Sequence, residues 1–295
     1  MHADVSFTGV GARLHGTVTC PDGMPPVPGV VLIGGSGPAD RRNDGLFDVL
    51  RDHLVQAGIA VLAYDKRGVG QSTGAWSSAT VDALAGDAAA AVACLKAQPL
   101  VAEDAVGVLG HSEGGWVALR LGVQLPTLRH VIANSCPAVS FVDAEVFALT
   151  RVGAGERVAA TLYRQLSSAA RAGAEVAQGR RIFASYEQQP WYPAALGNFT
   201  LDADTWTQLR VWVEYDPYPD LIRMTTPTLA ILGESDFLVP VAASVAVYQQ
   251  TAARAARPQQ IAVMPGADHR LRTAAGEFAA GYLQLLSNWC ADRAN

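Results

Sequence analysis

The sequence is poor in the features that mark several large classes of protein. It has only four cysteines, Cys20, Cys94, Cys136 and Cys290, which lie far apart and form no CxxC pair or Cys/His cluster of zinc spacing. They read as free thiols in a reducing compartment, which excludes a disulfide framework. No run of five like charges occurs, and 22 Lys and Arg against 27 Asp and Glu leave a net charge of −5. A basic footprint for nucleic acid is therefore missing. The opening stretch MHADVSFTGVGARLHG has neither a positive n-region nor an apolar h-region, and no window reaches about 18 uninterrupted apolar residues. These absences predict a soluble, cytoplasmic chain without membrane or nucleic-acid partners. Oligomeric state stays open, because apolar surface and apolar core look alike in a sequence.

What is present is enough apolar matter for a sizeable core: 50% of 295 residues, room for one large α/β domain with an insertion or for two small domains. The first 20 residues alternate apolar and polar positions (Val5, Phe7, Val10, then Leu14, Val18) around Gly9 and Gly11, the pattern of an antiparallel hairpin. PDGMPPVPG, with four prolines, breaks the chain after it. From Val30 the rhythm changes to short apolar runs separated by helical stretches: VVLIG, then 44–57; IAVLAY, then 78–97; AVGVLG, then 113–124; HVIANS. Continuous apolar runs joined by helices are the signature of a parallel sheet built from βαβ units. The rhythm resumes with TLAILG, then 240–254, and IAVMPG, then 274–290. Residues 138–223 thus interrupt a core made of 1–137 and 224–295, and are expected to form a helical cap. That segment holds 12 of the 22 aromatics, among them Trp191, Tyr192, Phe199, Trp206, Trp212, Tyr215 and Tyr218. As a group they suit an apolar substrate pocket, although each ring singly suits the segment's own core equally well.

Gly110-His111-Ser112-Glu113-Gly114 matches G-x-S-x-G and falls between the apolar run AVGVL and the helix-like EGGWVALRLGV. A serine on a sharp strand-to-helix turn needs small residues on either side, and the following helix directs backbone N–H groups at the site where an oxyanion would form. Ser112 is the candidate nucleophile. His111, adjacent to it, points elsewhere and reads as a packing or hydrogen-bonding residue.

A serine hydroxyl needs a base, and six histidines compete. His2 and His15 fall in the hairpin, His53 within an amphipathic helix and His130 at a strand start, away from the ligand-binding edge of an open sheet. His269 alone follows a strand, in IAVMPGADH. The acid that orients it should lie between serine and histidine in the chain. Asp236, in TLAILGESDFLVP, is preferred over Glu234 and Asp143, because it stands deeper in the loop and precedes an apolar turn ending at Pro240. Gly34-Gly35-Ser36-Gly37-Pro38 follows strand VVLI and faces the elbow in this topology, so the amides of Ser36 and Glu113 are the candidate oxyanion donors. The glycine loop is not G-x-G-x-x-G, and Pro38 removes a donor that a phosphate would use, which disfavours a nucleotide site.

Taken in order, GGSGPADR (34–41), YDKRGVGQS (64–72), GHSEGG (110–115), YDPYP (215–219), GESDFLVP (233–240) and DH (268–269) resemble the α/β-hydrolase superfamily, in particular bacterial serine esterases with a GGSGPxDR loop. The resemblance spans about residues 28–290. It implies the α/β-hydrolase fold, a Ser112–His269–Asp236 triad, oxyanion donors at Ser36 and Glu113, and loop-bracing ion pairs among Asp40, Arg41, Asp65 and Arg67. The expected reaction is hydrolysis of a small apolar carboxylic ester through an acyl-enzyme, with no metal or organic cofactor. The same residues would serve a thioesterase, a lactonase, an amidase or a C–C bond hydrolase. A binding module with a vestigial triad is the reading from a different class.

Overall fold

In the computed structural model, residues 1–23, 26–197, 200–254 and 258–291 are described. Eight strands form one sheet: β1 (His2–Thr8), β2 (Arg13–Thr19), β3 (Val27–Ile33), β4 (Ala60–Tyr64), β5 (Val101–His111), β6 (Val131–Asn134), β7 (Thr228–Gly233) and β8 (Gln259–Met264), in the order β1-β2-β4-β3-β5-β6-β7-β8. The N-terminal hairpin is antiparallel and joins the sheet through an antiparallel β2–β4 pair. All remaining pairs are parallel. This is the α/β-hydrolase architecture.

The helices are α1 (Leu46–Gln56), α2 (Val81–Lys96), α3 (Glu113–Gln124), α4 (Phe141–Arg151), α5 (Glu156–Arg171), α6 (Val176–Ala184), α7 (Tyr192–Leu196), α8 (Ala203–Trp212), α9 (Tyr218–Arg223), α10 (Val241–Arg254) and α11 (Tyr282–Ala291). The central strands are apolar on both faces because both faces are covered. Val31, Val108, Ala133 and Ala230 pack with residues of α2, α3 and α10, whereas Val30, Leu32, Leu109 and Ile231 pack with α1 and α11. Burial of a Leu or Val side chain contributes about 1.5–3 kcal/mol, so this two-sided packing accounts for the unbroken apolar runs in the sequence.

The last helix begins later than the apolar pattern after IAVMPG predicts, at Tyr282 and not near 274. Gly276 and Gly281 both have positive φ (82° and 81°), Arg272 bridges Phe278, and the Asp268 carboxylate accepts the amides of Arg270 and Arg272. These turns use the backbone donors that a longer helix would need.

Between β6 and β7 lie α4 to α9. Residues of α4, α5, α6 and α8 share a hydrophobic cluster of their own, with Leu162, Leu166, Trp191 and Trp206 inside it. Trp212 and Tyr215 depart from this pattern. Trp212 stacks on Trp116 of α3 and Tyr215 packs against the same ring at a tilt, at centroid distances of 5.8 and 5.2 Å, in the main core. Tyr215 also donates a hydrogen bond to Asp220, whose carboxylate takes Arg120 Nε at 2.9 Å on both oxygens. The YDPYP segment therefore locks the start of α9 onto the elbow helix α3.

Candidate active site

Strand register brings the candidate residues to one edge of the sheet. Ile33 pairs with Gly110, His111 with Asn134 and Gly233 with Met264, so the loops carrying Ser36, Ser112, Asp236 and His269 all leave the carboxyl ends of neighbouring parallel strands. That edge is where open α/β sheets bind ligands.

Ser112 sits at φ 55° and ψ −123°, between β5 and α3. For a non-glycine residue such a backbone costs about 1–3 kcal/mol and persists only when its surroundings enforce it. They do so here: Ser112 donates its amide to Asn134 O at 2.9 Å, and its carbonyl accepts from Gly115 at 2.8 Å. The flanking glycines are required sterically. A Cβ on Gly110 would strike the Gly114 carbonyl, one on Gly114 would strike the carbonyls of Ile33 and Gly34, and one on Gly115 would lie 2.6 Å from Cys136 Sγ.

His269 Nδ1 and Asp236 Oδ2 are 2.7 Å apart. The other Asp236 oxygen accepts the amides of Leu238 and Val239 at 2.8 and 3.0 Å, so the turn ending at Pro240 holds the carboxylate beneath the imidazole. With Nδ1 engaged, Nε2 is the nitrogen left for a hydroxyl partner. Glu234 instead accepts from the Gly266 amide, and Asp143 exchanges bonds with Ser140 at the start of α4. His111 is buried. Its ring nitrogens meet Asn43 Nδ2 at 3.1 Å and the His269 carbonyl at 3.2 Å. Burial first, and then repulsion from His269, bring its pKa down to about 3. It is a neutral support under the loop of His269.

Ser112, His269, Ser36 and Glu113 line a cavity of about 300 Å³ with Trp116, Phe141 and Leu238. A second cavity of about 420 Å³ shares Ser36, Glu113, Phe141, Glu145 and Leu238 with it and extends among Leu149, Tyr163, Phe183 and Leu209. Of the 12 aromatics of 138–223, Phe141, Tyr163 and Phe183 line these cavities, whereas the seven named in the sequence do not bear out that expectation. Phe199 lies outside the described residues, and none of the other six lines either cavity. Large rings bury most area where they are enclosed, and Trp191, Trp206, Trp212 and Tyr215 are core residues. The rings facing the cavities are Trp116, Phe141, Tyr163, Phe183 and Phe237. Tyr163 donates to Glu145 Oε2 at 2.6 Å, and burial raises the Glu145 pKa.

Of the ion pairs expected among Asp40, Arg41, Asp65 and Arg67, Arg41–Asp65 forms, and Arg67 and Asp40 find other partners. Arg41 grips Asp65 with its amide, Nε and Nη2 at 2.8–3.1 Å. Arg67 pairs with Asp87 of α2, at 2.7 Å on each oxygen, and Asp40 accepts the amides of Arg42 and Asn43. Asp87 carried no motif that could have identified it. Lys66 stood inside the YDKRGVGQS stretch without a role of its own, and Gln208 carried no motif. Lys66 Nζ reaches Glu113 Oε1 at 3.0 Å and the Gly35 carbonyl, and Gln208 donates to Glu113 Oε2 at 2.9 Å.

Among the described residues, no group of three His, Cys, Asp or Glu side chains could hold a metal ion, and no helix is long and apolar enough to cross a membrane.

Comparison with known proteins agrees with this architecture. The sequence pattern of the family described as serine aminopeptidase, S33 matches residues 42–273, well over half of the chain. A non-heme haloperoxidase of Rhodococcus erythropolis is 28% identical over 239 residues, 75% of this chain and 79% of that protein. An esterase of Pyrococcus furiosus superposes with a TM-score of 0.65 at 18% identity, over 98% of this chain and 89% of its own. Est1E of Butyrivibrio proteoclasticus, solved with ferulic acid bound, superposes with a TM-score of 0.60 at 18% identity, over 97% and 96%.

Proposed function

The chain belongs to the serine aminopeptidase S33 family and is an enzyme of the α/β-hydrolase class, and on that premise we propose that it cleaves a small apolar carboxylic ester through an acyl-enzyme at Ser112. His269 takes the hydroxyl proton as Ser112 attacks the carbonyl, and returns it to the departing alkoxide. Asp236 holds the ring in the tautomer that leaves Nε2 free and stabilises the imidazolium. The amides of Ser36 and Glu113 receive the oxyanion. Water, activated by the same histidine, then releases the acid.

The observation that carries this reading is the conjunction of the 2.7 Å Asp236–His269 bond with a cavity wall shared by His269 and the strained Ser112. An ester is the preferred substrate because an alkoxide leaves more readily than an amine, and because the adjoining cavity is lined mainly by apolar side chains. Residues 138–223 act as the cap over it. Thioesters, lactones and C–C bonds call on the same first step and differ in leaving group.

Hydrolysis of p-nitrophenyl esters of increasing acyl length by wild type and Ser112→Ala, with phosphonate labelling of both, tests the proposal. Turnover and labelling that vanish in Ser112→Ala support it, and the acyl-length optimum then sizes the cavity. Binding of ester analogues with neither turnover nor labelling would instead mark a binding module.

A further inference from the structure

Lys66 links the two backbone segments that supply the proposed oxyanion donors, through an ion pair with Glu113 and a hydrogen bond to the Gly35 carbonyl, which precedes Ser36. Lys66 and Glu113 are buried, with side chains only 8% and 4% exposed. A buried ion pair adds little net stability over an apolar pair of similar size, so stability alone gives no reason for one here.

Its geometry gives a reason. Besides Glu113 Oε1, Lys66 Nζ donates to the carbonyl of Gly35. That carbonyl and the Ser36 amide belong to one peptide group, and in a trans peptide the C=O and N–H point in opposite directions. A cation that holds the Gly35 oxygen on the buried side therefore turns the Ser36 N–H towards the other side, where Ser36 lines the cavity beside Ser112. The peptide is placed as well as turned. The Gly35 amide donates to Asn43 Oδ1 at 3.2 Å, and a Cβ on Gly35 would lie 3.5 Å from that of Ser112. A charged donor on the carbonyl also polarises the peptide and strengthens its N–H as a donor. The second contact of Lys66 fixes the side chain of Glu113, whose amide is the other proposed donor, and Gln208 of α8 holds the remaining carboxylate oxygen.

We propose that Lys66 is a positioning residue that sets and polarises the oxyanion hole, by holding the Gly35–Ser36 peptide and the Glu113 carboxylate on one ammonium. The proposal rests on the acyl-transfer reading above. Lys66 does not line the cavity that Ser112 lines; it acts through the Ser36 amide.

The test compares wild type with Lys66→Met and with Lys66→Met/Glu113→Gln, the second of which leaves no buried carboxylate without its cation. Steady-state kinetics on p-nitrophenyl butyrate, thermal melts, and inhibition by an alkylboronic acid, whose serine adduct is tetrahedral with an oxygen in the hole, are measured on each. The expected result is a folded double variant whose kcat falls by about 10- to 100-fold while KM moves by less than about threefold, with boronate affinity lost in parallel with kcat. A folded double variant that keeps kcat within about threefold of wild type would overturn the proposal, as would a loss of kcat with boronate affinity intact. Failure of the underlying reading would be seen separately, as wild-type protein that neither turns over esters nor is labelled at Ser112.

Discussion

At the scale of single residues, the site depends on groups whose bonding is almost complete. Asp236 is the clearest case: one oxygen takes two backbone amides and the other takes only His269. Asp236→Asn should retain the two amide contacts and the fold. Its amide nitrogen would face His269 Nδ1 as a donor and favour the tautomer that presents Nε2–H to Ser112. The expected loss in kcat is about 10⁴-fold, with an unchanged melting temperature; a drop of less than tenfold would mean that another group orients the histidine. His111 shows why neighbouring histidines are not interchangeable. It shares the edge with His269, but burial and the charge of its neighbour keep it neutral, and both its nitrogens are engaged.

At the scale of elements, the unit that matters is β5, the Ser112 turn and α3. Gly110 and Gly114 face backbone atoms, which cannot swing aside as a side chain can. Gly114→Ala would press a methyl into the carbonyls of Ile33 and Gly34 and should cost about 1–3 kcal/mol or more, read from urea denaturation. Gly155→Ala is the matched control. Gly155 precedes α5 at φ −65°, with no atom within 4 Å of an added Cβ, and the change should stay within about 0.5 kcal/mol. Equal effects at the two positions would contradict the steric account of the elbow. The same unit is tied to the insertion by Arg120–Asp220 and Glu113–Gln208, so the helix that follows Ser112 also carries the attachment of the helices between β6 and β7.

For the whole molecule, buried histidines set the response to acid. Burial, with the Arg129 charge as a lesser cause, lowers the pKa of His130 from 6.5 to about 4, and that of His111 falls to about 3. Below pH 6.5 the unfolded chain binds protons at these positions that the folded chain refuses. Stability is therefore greatest above about pH 6.5 and falls as the pH drops towards the folded pKa values. For His130 alone this amounts to up to about 2 kcal/mol between pH 6.5 and 5. His130→Gln should flatten the pH dependence of unfolding free energy by that amount over that interval. Curves that stay parallel for the two proteins would show that His130 titrates normally in the fold.

The sequence by itself determined the hairpin, the alternation of strands and helices, and the turn at Ser112. These are local properties: period-two alternation, two-sided apolar runs, and glycines spaced around one serine. It also narrowed six histidines to His269, because chain order in a parallel sheet decides which loops share an edge. What only the tertiary structure decided were contacts between residues distant in the chain. Lys66 meets Gly35 and Glu113, Arg67 meets Asp87, and Trp212 joins Trp116 in the main core instead of facing a pocket. Side-chain partners depend on how helices pack across the sheet, and a sequence records which residues are apolar or charged but not which others they will face.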